Sequence, residues 1–157
     1  MATFAIESNG RIEKTAVYFN GEQIGGVKEI FINIDEDGTF DSVLQYEGSD
    51  KKIYSKDIFN DFLENIRVTE PSFTDEEAES LQNITIESNG DLDNTEVFIN
   101  GEFAEGIVNL MIHIKGVENK AGLKAMFERS NIPEHAEFKA EITFRNDDDS
   151  IDMEDIF

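Results

Sequence analysis

The chain has 157 residues, of which 35 are acidic and 13 basic, and its net charge at pH 7 is −22. So negative a surface repels nucleic acids and anionic membranes, because both are bound through lysine and arginine. The sequence contains no cysteine, which excludes disulfides, thiolate metal sites and a cysteine nucleophile. The partners that this charge favours are basic protein surfaces or metal cations.

A long motif occurs twice along the chain. Residues 4–34 align without a gap on residues 84–114 at a constant offset of 80, and both segments contain I-E-S-N-G, T-x-V and N-G-E. The alignment resumes at an offset of 98, with residues 40–46 on 138–144 and 57–59 on 155–157. Self-similarity of this kind predicts two tandem copies of one small module. The change of offset places an insertion in the second copy.

Apolar residues alternate with polar ones in both copies, as in strands with one buried face. The predicted buried positions are Ile30, Ile32, Ile34, Leu110, Ile112, Ile114, Phe138, Ala140, Ile142 and Phe144. Asn20-Gly21 and Asn100-Gly101 stand between such runs and predict two-residue hairpin turns of type I′. Asp37-Gly38 predicts another tight turn. Each copy is therefore expected to form a small antiparallel sheet.

Three segments have helical patterns. Ser55 is a plausible N-cap for a first helix with apolar residues at helical spacing, namely Ile58, Phe59, Phe62, Leu63 and Ile66. Thr74 and Glu77 form the pattern of a capping box and predict a short acidic helix. In the insertion, a third helix with Leu123, Met126 and Phe127 on one face is expected to end at Pro133.

Together these patterns predict an α+β fold, mainly β, with two tandem repeats of a small antiparallel β-sheet module, each covered by one helix. Residues 1–66 are assigned to the first repeat with its helix and 67–83 to an acidic linker with a short helix. Residues 84–157 are assigned to the second repeat, with its inserted helix near 118–132. The N-terminus has neither the basic nor the apolar part of a signal peptide, so a cytoplasmic location is expected.

No catalytic pairing is visible in the sequence. The two imidazoles, His113 on the polar face of a strand and His135 in a loop, have no recognisable nucleophile or acid beside them. The segment Asp35–Gly38 is oxygen-rich but lacks the frame of an EF-hand and is interpreted as a hairpin turn. Residues 146–155 are interpreted as a solvated acidic tail or a weak cation site. The expectation is a protein that is not an enzyme and needs no cofactor or metal.

Acidic residues are concentrated toward the linker and the second repeat, since residues 84–157 alone contain 17 acids and 6 bases. Carboxylates two residues apart on a strand, or four apart on a helix, lie roughly 6–7 Å from each other, a spacing similar to that of DNA phosphates. They could therefore occupy a cationic nucleic-acid cleft; the alternative is a solvated surface. The candidate partner-binding residues are Asp75, Glu76, Glu77, Glu79, Asp147, Asp148, Asp149, Asp152, Glu154 and Asp155.

The repeated motif, followed by an alternating strand, resembles in style the small β-rich proteins that bacteriophages and prophages encode. The resemblance, with the acidity, implies a DNA-mimic inhibitor that binds a host nuclease or other nucleic-acid-processing defence protein in the host cytoplasm. The alternative is a virion or assembly accessory module that binds protein through its sheets. Direct nucleic-acid or membrane binding is not expected.

Overall fold

The computed structural model describes residues 2–116 and 137–157. In this part of the chain strands predominate, and α1 (Asp75–Ala78) is a single turn of helix. The strands are β1 (Ala2–Ser8), β2 (Thr15–Phe19), β3 (Glu22–Gly25), β4 (Val27–Asp35), β5 (Phe40–Glu47), β6 (Ile53–Asp57), β7 (Arg67–Val68), β8 (Gln82–Ser88), β9 (Glu96–Ile99), β10 (Glu102–Phe103), β11 (Ile107–Lys115), β12 (Glu137–Arg145) and β13 (Ile151–Asp155).

The strands form two antiparallel sheets. Sheet A has the order β10-β9-β8-β1-β2-β3-β7, and sheet B has the order β13-β12-β11-β4-β5-β6. The prediction of a mainly β fold with antiparallel sheets is confirmed. The prediction that each repeat forms its own sheet is wrong, because both sheets combine strands from both halves of the chain. The chain leaves sheet A for sheet B at Gly26 and again at Gly106, where φ is 77° and 71°.

Residues 80 positions apart face each other at the centre of both sheets. Ala5 lies opposite Thr85 where β1 pairs with β8, and Ile32 lies opposite Ile112 where β4 pairs with β11. An antiparallel pair in which equivalent residues are opposite each other is symmetric about an axis through that pair. The two halves are thus related by a pseudo-twofold axis that passes through both sheets.

The apolar faces of the two sheets form one core. The strand positions expected to be buried in β4 and β11 are all 5 % exposed or less, and the core cluster joins them to Phe4, Ile6, Ile84 and Ile86 of sheet A. Alternation in these strands is therefore confirmed. Its physical basis is that the strand period of two directs every second side chain into the space between the sheets.

The helix expected after Ser55 is absent. Ser55 lies within β6, and the Asp57 carboxylate accepts hydrogen bonds from the backbone N–H groups of Phe59 and Asn60, which turns the chain out of the strand. Phe62, expected on the buried face of the helix, is 80 % exposed. A helix over each sheet is not needed because the sheets cover each other's apolar faces. The inserted helix expected near 118–132 lies outside the described residues.

The local turn predictions are confirmed. Backbone φ is 51° and 86° at Asn20 and Gly21, and 52° and 82° at Asn100 and Gly101, as a type I′ turn requires. Asp37-Gly38 lies in the turn between β4 and β5.

The capping box before α1 is also present. The Thr74 hydroxyl accepts a hydrogen bond from the Glu77 N–H, and the Glu77 carboxylate accepts one from the Thr74 N–H.

Candidate interaction surface

Six of the predicted partner-binding acids lie on one hairpin, β12–β13. The segment expected as a tail is therefore a strand: β13 pairs with β12 from Arg145 opposite Ile151 to Glu141 opposite Asp155. All five residues of β13 are exposed. The hairpin positions these carboxylates on regular backbone rather than on a loose end of chain.

The turn of this hairpin is held by its own polar groups. The Asp148 carboxylate accepts hydrogen bonds from the Ser150 N–H at 3.0 Å and the Ser150 hydroxyl at 2.6 Å. These bonds favour the charged form and hold the pKa of Asp148 below its usual range. The Asn146 amide donates to Asp152 at 2.8 Å. Asp149 has a φ of 67°. The turn is thus preorganised, with its carboxylates facing solvent.

Among the described residues, few cations neutralise the hairpin. Arg145, at its base, forms a bidentate ion pair with Glu36 at 2.8 and 2.9 Å, which raises the pKa of the guanidinium. Within residues 2–116 and 137–157, Asp147, Glu154 and Asp155 form no hydrogen bond or ion pair through their side chains. Most of the negative charge on this hairpin is therefore available to a partner.

The other four predicted acids lie on α1 and its C-cap. Glu77 is engaged in the capping box, whereas Asp75, Glu76 and Glu79 are exposed. Three residues further along the chain, the Gln82 side chain accepts a hydrogen bond from Asn100, just before β10. No hydrogen bond or ion pair in the described ranges joins the acids of α1 to those of the hairpin, so the structure places them as two groups.

Sequence reasoning missed the neighbouring strand β10. Glu102 and Glu105 lie beside Glu154 around an open cavity of about 460 Å³. Phe103 is 53 % exposed, and it lines this cavity together with Phe144. The repeat alignment contained the signal, because Gln23, Ile24 and Gly25 of the first copy correspond to Phe103, Ala104 and Glu105 of the second.

We call this surface the second edge: β10 with Ala104 and Glu105, the hairpin turn 146–150, and β13. It combines exposed carboxylates with the exposed apolar side chains of Phe103, Ile151 and Met153, which are 53–66 % accessible.

His113 has partners that the sequence did not reveal. Its Nε2 lies 2.6 Å from Oε2 of Glu29, and its Nδ1 lies 2.9 Å from Oε2 of Glu137. Because β11 lies between β4 and β12, this cluster links three strands on the outer face of sheet B. Among the residues that the structure describes, no group of three or more His, Asp or Glu side chains has the arrangement of a metal site. His135 lies outside the described residues.

Comparison with protein-family models, with curated proteins and with solved structures gives no match to this chain. In the described ranges, no helix has both the length and the apolar composition needed to cross a membrane.

Proposed function

We propose that this protein is a non-enzymatic binding protein that occupies a basic surface of a nucleic-acid-processing protein and blocks it. The observation that carries the proposal is the β12–β13 hairpin, in which all five residues of β13 are exposed and the turn holds consecutive carboxylates. The phage setting and a defence protein as target remain part of this proposal.

The spacing of the carboxylates supports a cationic partner. Asp152 and Glu154 are two residues apart on β13, so they lie on the same side of the strand, roughly 7 Å from each other. Asp147 and Asp148 extend the charge past the turn. A basic cleft that binds this row releases its own bound anions and loses access to DNA or RNA, as it would with a bound phosphate backbone.

A second candidate function is an assembly or accessory module. It is favoured by the exposed edge strand β10 and by Ile151 and Met153, which are 55 % and 66 % exposed. Such a module would bind its partner mainly through apolar contacts and strand pairing. Its binding would therefore resist salt better than binding through carboxylates.

The test is capture of partners from host lysate by the tagged protein at low and high salt, with and without competing duplex DNA. Under the proposed function, a nucleic-acid-processing protein is captured, and both DNA and high salt displace it. Capture of structural proteins that resists salt and DNA would instead support the assembly module.

A variant in which four carboxylates of the hairpin are neutralised locates the interaction. Replacing Asp147, Asp148, Asp149 and Asp152 by asparagine is expected to lower affinity for the captured protein by at least about tenfold, that is about 1.4 kcal/mol. The matched control neutralises four exposed acids elsewhere, Glu22, Asp41, Asp93 and Glu96, and so changes the net charge equally. Equal losses in both variants would show that only net charge matters and would refute the hairpin as the site.

A further inference from the structure

The two edges of sheet A differ although the pseudo-twofold axis relates them. In the first half, β3 is followed in the sheet by β7, with Ile24 opposite Val68 and Gly25 opposite Arg67. In the second half, β10 is the last of the described strands in the sheet. We call β3 with β7 beside it the first edge, and it shows how a short extended segment docks on this scaffold.

Backbone groups on β10 are aligned to accept such a segment. The Ala104 N–H donates to Val97 O at 2.9 Å, toward the interior of the sheet. Alternate residues of an antiparallel strand direct their N–H and C=O groups to opposite sides, so Phe103 directs its groups away from β9. Glu105 follows β10 and is expected to do the same, because its equivalent Gly25 lies opposite Arg67 of β7. At the first edge the corresponding carbonyl, that of Gln23, accepts a hydrogen bond from the Thr69 N–H at 2.8 Å.

An apolar cavity opens beside the same strand. It has a volume of about 290 Å³ and is lined by Leu92, Val97, Phe103, Ala104 and Ile107, among others. The equivalent cavity in the first half is lined in part by Thr69 and Ser72, which follow β7. The segment that follows the docked strand therefore borders the cavity at the first edge, whereas the described residues provide no such segment at the second.

The negative charge around β10 indicates which kind of segment would bind there. Glu102, Glu105, Glu154 and the aspartates of the turn surround the edge, so a docked segment gains from positive charge. At the first edge the segment itself carries Arg67, whose guanidinium donates to the Glu47 carbonyl. A second copy of this chain is unsuitable, because two molecules of net charge −22 repel each other.

We propose that the second edge binds an extended segment of its partner by strand addition to β10, and that this segment alternates basic and apolar residues. The inference rests on the proposed function in that the partner is basic, and it specifies the binding mode. Backbone pairing supplies affinity, while the carboxylates and the apolar cavity select the side chains.

The probe is a capped hexapeptide of alternating arginine and valine, titrated into the ¹⁵N-labelled protein. We expect amide shift changes and slowed hydrogen exchange at Phe103 and Glu105. Gln23 and Gly25, at the occupied first edge, are the internal reference and are expected to stay unchanged. The control peptide has the same sequence, but its backbone amides that would face β10 carry N-methyl groups. N-methylation preserves the charge of the peptide and prevents strand pairing. The control peptide is expected to bind about tenfold more weakly.

A pair of protein variants tests the same edge. Glu105→Pro removes both a carboxylate and an edge-facing N–H, whereas Glu105→Gln removes the charge alone. We expect the proline variant to bind the peptide about tenfold more weakly than the glutamine variant, with circular dichroism confirming that both are folded.

Three results would overturn the inference: no binding, equal binding of the N-methylated peptide, or shift changes confined to α1 or β6. In the last two cases capture of a basic partner through the hairpin carboxylates would still stand, so failure of strand addition is distinguishable from failure of the proposed function.

Discussion

The hairpins β5–β6 and β12–β13 occupy equivalent places on either side of the pseudo-twofold axis, and among the described residues a long segment covers only the first. Residues 58–66 pack against β5–β6, where Leu63 is 6 % exposed and the Tyr46 hydroxyl donates to the Glu64 carbonyl at 2.7 Å. In the second half Ile156 and Phe157 correspond to Ile58 and Phe59, and Ile156 is likewise buried, but no described residue corresponds to residues 60–66. One backbone arrangement thus contributes stability in the first half and an exposed surface in the second.

Side chains at equivalent positions follow this difference. Tyr54 and Lys56 of β6 correspond to Asp152 and Glu154 of β13. Tyr54 stacks on Tyr46, and Lys56 forms an ion pair with Glu64 at 3.1 Å. On β13 the same two positions are charged and exposed. Charged side chains also protect an edge strand from unwanted pairing, so binding here requires a partner of complementary charge.

The largest effect is expected from a change in residues 58–66, the segment that covers β5–β6. Leu63→Ala is expected to lower the free energy of unfolding by about 3 kcal/mol, because it removes a buried side chain and leaves a cavity. The comparison variant is Met153→Ala on the uncovered hairpin, where the side chain is 66 % exposed and the change is expected to stay within about 0.5 kcal/mol. Urea unfolding followed by circular dichroism measures both. Similar losses would mean that the two hairpins are equally covered.

A smaller effect is expected from exchanging the aromatic residues of the two hairpins. Tyr46→Phe removes the hydrogen bond to the Glu64 carbonyl and is expected to cost about 1 kcal/mol. Phe144→Tyr, at the equivalent position, is expected to bring no gain, because no described carbonyl corresponds to that of Glu64. A stabilising Phe144→Tyr change in urea unfolding would contradict this difference.

The same tyrosine predicts a pH dependence. Burial, with the nearby Glu64 charge second, raises the pKa of Tyr46 to about 12 from its ordinary 10. The folded state therefore holds this proton longer than the unfolded state, and stability is lost as pH rises from about 10 toward 12. Tyr18, whose pKa burial and Glu7 also raise to about 12, contributes in the same direction. Tyr46→Phe is expected to reduce the slope in thermal unfolding between those pH values, and an unchanged slope would be inconsistent with it.

The smallest expected effect distinguishes the two turns. Hydrogen bonds hold the pKa of Asp50 below its ordinary 3.8 through Tyr54, and that of Asp148 through Ser150. Each carboxylate stabilises the fold at neutral pH, and this contribution is lost as pH falls through the lowered pKa. Carboxyl NMR titration is expected to show the pKa of Asp50 rising in Tyr54→Phe and that of Asp148 rising in Ser150→Ala. A rise of both in either variant would show that the turns are coupled.

Local features were predictable because neighbouring residues decide them. Asn20-Gly21 adopts positive φ because asparagine and glycine tolerate that conformation best. Thr74 caps α1 through a hydrogen bond to Glu77, only three residues away. The acids of the β12–β13 hairpin could be identified as candidate binding residues from composition. The strand character of this hairpin and the adjacent Phe103 and Glu105 could not, because both depend on which strands become neighbours.

The error at residues 58–66 has a physical cause. Apolar residues at helical spacing predict a buried helix face, yet the Asp57 carboxylate stabilises a turn instead, and Leu63 is buried while Phe62 is not. Periodicity describes one segment at a time, whereas burial depends on what packs against it. For His113, the partners Glu29 and Glu137 are distant in sequence and meet it only through strand pairing.

By itself, the sequence determined the alternation of strands such as β4 and β11, the hairpin turns and the strongly acidic surface, since these follow from residue type and from contacts between near neighbours. The tertiary structure alone decided that the sheets take strands from both halves, that they bury each other's apolar faces, and that the described residues cover one edge and leave its counterpart exposed. Pairing such as Ile32 with Ile112 joins residues 80 positions apart. Local propensity does not specify this pairing, because only the packing of both sheets together removes their apolar faces from water.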